Sequence, residues 1–166
     1  MNTKTLGIVI VVAVVAVAAI LAFASRDSSS SGDPSASAGS FTGEVIAPDA
    51  FSVAEYAGGP VVLNFFFRDC PPCGAEAADL AEFARSNPGA QVIGVDVQDS
   101  ESDAVAFMEE HDLDYALVVD DGTLSSSYAV QYTPTTVFLD AQGAEVDRLV
   151  GASTLDQFNA SLAKAQ

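Results

Sequence analysis

The chain contains two cysteines, and they stand together as Cys70-Pro71-Pro72-Cys73. The segment before them, Val61-Val62-Leu63-Asn64-Phe65-Phe66-Phe67, is short, apolar and rich in Val and Phe, which predicts a buried strand. The segment after them, Gly74 to Ala84, puts Leu80, Phe83 and Ala84 on one face of a helix, with Glu76, Asp79 and Glu82 expected on the more exposed side. A Cys-x-x-Cys at a strand–helix junction is a redox candidate, not a pair of scattered thiols. Two cysteines cannot build a disulfide framework. A structural zinc site wants four ligands, and the one histidine, His111, is remote in sequence, so no metal is expected. His111 reads as a helix-end residue.

Upstream, Leu6 to Ala24 is a run of 19 residues without a charge. As a helix it spans roughly 28 Å, close to the hydrocarbon thickness of a bilayer. Lys4 precedes it and Arg26 comes after it, and the weak charge bias places the N-terminus inside and the remainder outside. The expectation is a single-pass anchor over residues 1–24. The alternative is a signal peptide cleaved after Ala22-Phe23-Ala24, which yields a secreted protein. Either way the rest of the chain is exported. Residues 25–40, rich in Ser with Gly, Pro and Asp, have no apolar periodicity and read as a flexible linker with a reach of about 20 Å. Residues 41–166 are left for one folded domain.

That remainder is strongly acidic. The whole chain carries a net charge of −17, and beyond Arg26 four basic residues face all 23 acidic ones. Such a surface repels phosphate backbones, so nucleic acid is excluded as a partner.

Downstream of the cysteine helix, which stops at Asn87-Pro88-Gly89, Gln91 to Val97 reads as a second strand. Ser100 or Ser102 can cap a helix ending near His111, and Tyr115 to Val119 is a third strand. Thr123 to Ala129 is a short helix or irregular piece. Thr133-Pro134-Thr135-Thr136-Val137-Phe138-Leu139-Asp140 is a strand with proline at its head, followed by a turn, the strand Ala144 to Val150, and a last helix over Thr154 to Ala165. Phe41 to Ile46 is expected at a sheet edge. Alternating strands and helices closed by a hairpin predict an α/β fold, a mixed and mostly parallel central sheet flanked by helices.

Val61 to Phe65, Cys70-Pro71-Pro72-Cys73 and Thr133-Pro134-Thr135-Thr136 together resemble the thioredoxin superfamily. They resemble most its membrane-tethered TlpA/ResA-like thiol-disulfide oxidoreductases, a branch that includes the cytochrome c maturation reductases. The resemblance covers roughly Phe51 to Ala165, and Ser100 to Val119 fits the branch's helix–strand insertion. It implies a thioredoxin-like fold and an extracytoplasmic enzyme without a cofactor. It also implies a redox-active Cys70–Cys73 disulfide, a protein thiol or disulfide substrate, and a membrane electron donor such as a thiol transporter. By resemblance Pro134 is a cis proline lying against the CxxC, with the Thr133 backbone free to pair with a substrate strand. One departure stands out. The tryptophan that usually precedes the first cysteine is Asp69 here, next to Arg68. Phe65 to Phe67 read mostly as core, with one of them lining a substrate groove in its place as the alternative. Asn64 stands at the superfamily's buried-acid position, as it often does in this branch.

The chemistry rests on the thiolate being the attacking species. Cys70 at a helix N-terminus is stabilised as an anion by free N–H groups, and it is the expected nucleophile. Pro71 and Pro72 supply no N–H, so the Cys73 amide is the first donor available to the Cys70 sulfur. Cys73, one turn in, is expected to be more buried and to resolve the mixed disulfide. Arg68 favours the thiolate and Asp69 opposes it. Glu76 reads mainly as a solvated charge, with proton relay as the functional alternative. Three other functions compete with this one. A peroxiredoxin-like peroxidase wants a Thr before its cysteine. An SCO-type copper chaperone wants a CxxxC pair and a distal His. A non-catalytic binding domain would hold the pair as a permanent disulfide.

Overall fold

The computed structural model describes residues 41–166. The expected anchor or leader over 1–24 and the linker over 25–40 lie outside the described residues. Among the described residues no helix is long and apolar enough to cross a membrane.

The elements run β1 (Val45–Ile46), a 3-10 turn (Val53–Tyr56), β2 (Val61–Phe66), α1 (Pro71–Ser86), β3 (Gln91–Asp96), α2 (Glu101–Glu110), β4 (Ala116–Val119), α3 (Thr123–Ser127), β5 (Thr135–Leu139), β6 (Glu145–Val150) and α4 (Leu155–Leu162). The strands form one sheet in the order β1-β4-β3-β2-β5-β6. The β1–β4, β4–β3 and β3–β2 pairings are parallel, while β2–β5 and β5–β6 are antiparallel. This is the thioredoxin-like α/β sheet expected from the motifs. The helix–strand insertion, α2 and β4, places its strand between β3 and the edge.

β2 is buried over all six residues because it is central and covered on both faces. Its side chains alternate. Leu63 and Phe65 join Ile93, Val95, Val118 and Val137 in one layer, and Val62 joins Phe83, Phe138 and Phe158 in the other. α1 begins at Pro71, where a missing N–H does no harm. α2 starts on Ser100, whose hydroxyl accepts the Asp103 N–H. α4 starts on a capping box between Thr154 and Gln157.

At the margins the structure departs from the periodicity. Of Phe41 to Ile46 only the last two residues pair, and they do so at the edge against β4. The hairpin strand β5 begins at Thr135, one residue after Pro134, since proline has no N–H for the ladder.

Candidate active site

Cys70 and Cys73 are joined in a disulfide with Cα atoms 5.2 Å apart, at the point where the chain leaves the centre of the sheet and enters α1. Cys70 is the N-cap of that helix. Its sulfur accepts the Cys73 N–H at 3.3 Å, and its carbonyl accepts the N–H groups of Cys73 and Gly74. With Pro71 and Pro72 in the first two helical positions, this is the donor that the sequence leaves for the sulfur. Both cysteines are buried, Cys70 with 4% and Cys73 with 2% of its surface exposed.

The Thr133–Pro134 peptide bond is cis, and Pro134 is buried. The Thr133 hydroxyl oxygen stands 3.8 Å from the Cys70 sulfur. A disulfide sulfur carries no hydrogen, so only the hydroxyl can donate there. The Pro134 carbonyl accepts the Gly151 N–H at 2.8 Å, which pins the loop to the end of β6.

Arg68 and Asp69 are both exposed. The Arg68 side chain reaches the start of α2. Its guanidinium pairs with Asp103 at 3.1 Å, and its backbone N–H donates to the Asp99 carboxylate. The residue expected to favour the thiolate is therefore engaged by the start of α2. No Thr precedes Cys70. His111 caps α2 with its ring 4.5 Å from that of Phe107, and its imidazole faces Gly74 beside Cys73.

Glu76 corrects the sequence reading. The helical pattern puts it on the exposed side, yet only 2% of it is exposed. Its Oε1 accepts from Asn64 Nδ2 at 2.9 Å and its Oε2 from the Ser153 N–H at 2.9 Å, while the same Asn64 amide also donates to Thr136 Oγ1 at 3.0 Å. The reason is helical geometry. The buried stripe of α1 runs Cys73, Glu76, Ala77, Leu80, Ala81, Phe83, so Glu76 lies one turn past Cys73 on the inward face. Burial pushes its pKa from 4.5 up to about 7, against the lowering pull of the Asn64 and Ser153 hydrogen bonds. Asn64, which cannot accept a proton from the thiols, instead holds the Glu76 carboxyl. The Cys73-to-Glu76 spacing is the signal in the sequence, and the charge on Glu76 outweighs it.

A second buried carboxyl, Asp96, ends β3 beside Phe66. Its Oδ1 accepts the N–H groups of Gln98 and Asp99, and its Oδ2 has no partner. Burial raises its pKa, and the neighbouring Asp99 charge adds to the rise.

Residues 34–145 match the AhpC/TSA family. The chain is 29% identical over 107 residues to the thiol-disulfide oxidoreductase ResA of Bacillus cereus, covering 63% of this chain and 62% of that protein. It is 29% identical over 126 residues to the soluble secreted antigen MPT53 of Mycobacterium tuberculosis, covering 74% and 73%. In three dimensions it is similar to a secreted Mycobacterium tuberculosis disulfide oxidoreductase, with a TM-score of 0.62 and 28% identity, over 68% of this chain and 87% of that one. On the fold, the family match and these likenesses, the chain belongs to the AhpC/TSA family within the thioredoxin superfamily, among the TlpA/ResA-like thiol-disulfide oxidoreductases that its motifs resemble.

Proposed function

We propose that the protein is an extracytoplasmic thiol-disulfide oxidoreductase that reduces protein disulfides, with Cys70 as nucleophile and Cys73 as resolving thiol. The observation that carries this reading is the placing of the Cys70 sulfur, capped by the Cys73 N–H at a helix start and faced by Thr133 beside the cis Pro134. In the reduced protein the Cys70 thiolate attacks one sulfur of the substrate disulfide. That S–S bond breaks, a mixed disulfide forms, and the departing sulfur leaves as a thiolate that takes up a proton. The Cys73 thiolate then attacks the Cys70 sulfur and expels the second substrate thiolate, which is protonated in turn. Two electrons have passed to the substrate, and the Cys70–Cys73 bond is back.

Each part of the site has a task in this scheme. The N–H groups at the start of α1 and the Thr133 hydroxyl favour the Cys70 anion. Glu76, one turn past Cys73 with a pKa of about 7, takes the Cys73 proton when that thiol must attack. The Thr133 backbone is the edge on which a substrate strand pairs.

The oxidised protein must be reduced again by a dithiol donor, since the sequence holds no second cysteine pair. The apolar run over Leu6 to Ala24 and the secreted relatives support a site outside the cytoplasm, where a membrane thiol transporter is the donor class that fits. A place in cytochrome c maturation is the narrower form of this proposal and rests on the motif resemblance. Trapping with Cys73→Ser tests the whole reading. A dithiol-sensitive mixed disulfide through Cys70 is expected, and its partner names the substrate. Failure to trap, together with a wild-type disulfide that resists dithiothreitol, would leave a structural disulfide.

A further inference from the structure

Two buried side-chain polar atoms among the described residues have no hydrogen-bond partner, Asp96 Oδ2 and Tyr115 Oη. Buried polar groups are nearly always paired, so these two stand out. The other Asp96 oxygen is engaged by the loop that follows it. The Tyr115 hydroxyl can both donate and accept, and it does neither.

Tyr115 stands just before β4. It borders an open cavity of about 480 Å³ under the second half of α1, where Ala81, Ala84 and Val92 form part of the wall. The ring also packs against the layer that holds Cys70, Cys73, Phe66 and Ala77. Gly94 makes room for it, since a Cβ there would stand 3.4 Å from Tyr115 Cε2 and 3.1 Å from Phe66 Cε1. Gly94 lies beside Asn64 of β2 and Leu117 of β4 in parallel register. Neighbours in parallel strands point to the same face, so the ring shares its face of the sheet with the Asn64 amide that holds Glu76. Its hydroxyl is closed off from solvent, and the Glu76 charge reaches it. Burial pushes the Tyr115 pKa up and the Glu76 charge adds to the rise, so the hydroxyl keeps its proton while Glu76 titrates.

Glu76 has a place for such a group. Asn64 Nδ2 occupies one site on Oε1 and the Ser153 N–H one on Oε2, while each carboxylate oxygen can accept two donors. We propose that Tyr115 is a positioning residue for the resolving step, whose hydroxyl gives the ionised Glu76 a third hydrogen bond through one bound water and so holds it as the base for the Cys73 proton. The proposal rests on the reading of Glu76 as that base, and it adds the group that keeps the base ready. A hydroxyl suits both states of the acid. Toward the carboxylate, Tyr115 donates to the water and the water donates to Glu76. Once the proton has moved from Cys73 Sγ to Glu76, the same chain reverses, and the acid donates through the water to Tyr115 Oη. Tyr115 ends with the proton it began with. Around Glu76 the other groups are Asn64 of β2, Thr136 of β5 and Ser153 before α4, all uncharged, and Cys73 on its own helix. The charged residues of the cavity are Arg85, Asp112 and Asp114.

The test is Tyr115→Phe, which removes one oxygen and keeps the ring. In the oxidised full-length protein the Glu76 step in the pH–stability curve is read as the difference from the same protein carrying Glu76→Gln. It should move up from about 7 by roughly one pH unit, because the anion has lost a donor. The resolving step is followed in the reduced protein by stopped flow, as the second thiol released from an aromatic disulfide. It should be about 5- to 10-fold slower than in the wild type near pH 6 and within about twofold of it at pH 9. A ring that only fills space gives a different result. Shedding a buried hydroxyl that serves nothing would leave both profiles in place, with the variant as stable as the wild type or more so at every pH, and that outcome overturns the proposal. So does a step that moves down. So does a shift of the kinetic profile that persists when Glu76→Gln is added, since another group such as Asp96 would then be answering. A wild type without a Glu76 step removes the acid and the proposal with it. A wild-type disulfide that resists dithiothreitol would end the oxidoreductase reading and the resolving role together, while the stability curves still decide whether Tyr115 holds Glu76.

Discussion

In front of the disulfide, on the Cys70 side, stand Thr133, Tyr132 and an uncharged groove open to solvent. Behind it, one helical turn past Cys73, stands Glu76, closed in by Asn64 and Ser153, with Thr136 on the far side of the Asn64 amide. The front is assembled from a loop and strand ends, where side chains can change without opening the core. The back is a hydrogen-bonded carboxyl inside the layer between α1 and the sheet, where each group depends on the others. In the proposed mechanism electron transfer belongs to the first region and proton storage to the second. The two meet through the first turn of α1, through the start of β5, where Thr136 accepts from Asn64, and through the Gly151–Ser153 turn that Pro134 holds.

The largest effect should come from the cysteines. Cys70→Ser is expected to abolish turnover with any disulfide, whereas Cys73→Ser should still form one equivalent of mixed disulfide and then stop. Mass spectrometry of the trapped product separates the two outcomes, and equal behaviour of the variants would erase the distinction between front and back.

The next effect belongs to Glu76 and appears in stability. Its folded pKa of about 7 lies above the ordinary 4.5, so between those values the folded state binds more protons than the unfolded one. The resulting stabilisation is complete below about pH 4.5 and is lost as the pH rises through about 7. In the oxidised protein this group should lower the unfolding free energy by up to about 3 kcal/mol between pH 4.5 and 8. Glu76→Gln should remove that part of the slope. Asp96 is shifted in the same direction and remains in the variant, so the readout is the difference between the two denaturation curves. Parallel curves would mean that Glu76 is not the group that holds the proton.

Asn64→Ala sharpens the same contrast at smaller scale. Losing the amide leaves Glu76 Oε1 and Thr136 Oγ1 without the donor that Asn64 gives them, while the Ser153 N–H still serves Glu76 Oε2, and this costs about 1–3 kcal/mol of stability. Since that hydrogen bond pulls the Glu76 pKa down, its removal should move the Glu76 step in the pH–stability curve upward. A step that stays in place would show that Asn64 packs there without tuning the acid.

The smallest effects should lie in front, at the charged pair. Arg68 and Asp103 are both well exposed, so Asp103→Asn should change stability by less than about 1 kcal/mol. Asp69→Asn should raise the reduction potential by about 10 mV, because one negative charge near the thiolate is gone. A potential that stays put or falls would remove Asp69 from the tuning of the site.

Much of this architecture is written in local pattern. The apolar run Val61 to Phe67 forms β2 because a central strand covered on both faces has no polar side to alternate with. Asn87-Pro88-Gly89 stops α1 at Ser86, and Ser100 caps α2. Cys70, Cys73 and Pro134 are legible because their spacing carries the chemistry. Glu76 reads the wrong way round for a physical reason. An isolated carboxylate is expensive to bury, so a charge on a helix is assigned to water unless its partners are known. Those partners, Asn64 and Ser153, lie 12 and 77 residues away and meet it only when the sheet forms. Tyr132 leaves no signal at all, since a loop residue obeys no period. Its position becomes meaningful only when β5 and α3 put it in the groove that Thr133 shares.

The two-residue strand β1 has a consequence for how the domain meets other chains. It is the outermost strand and pairs only through Val45–Ile46 with Leu117 and Val118, aided by the Leu117 N–H donating to the Glu44 carbonyl. The segment before it adds the Phe41 N–H to Glu109, the Thr42 hydroxyl to Asp114 and the Phe41 ring against the core. Once it peels away, the apolar strand Ala116-Leu117-Val118-Val119 becomes an unpaired edge, a template on which another copy can lay its own backbone. The short strand thus covers the edge of β4, and hydrogen exchange at Leu117 is the measurement that reports how often that edge opens.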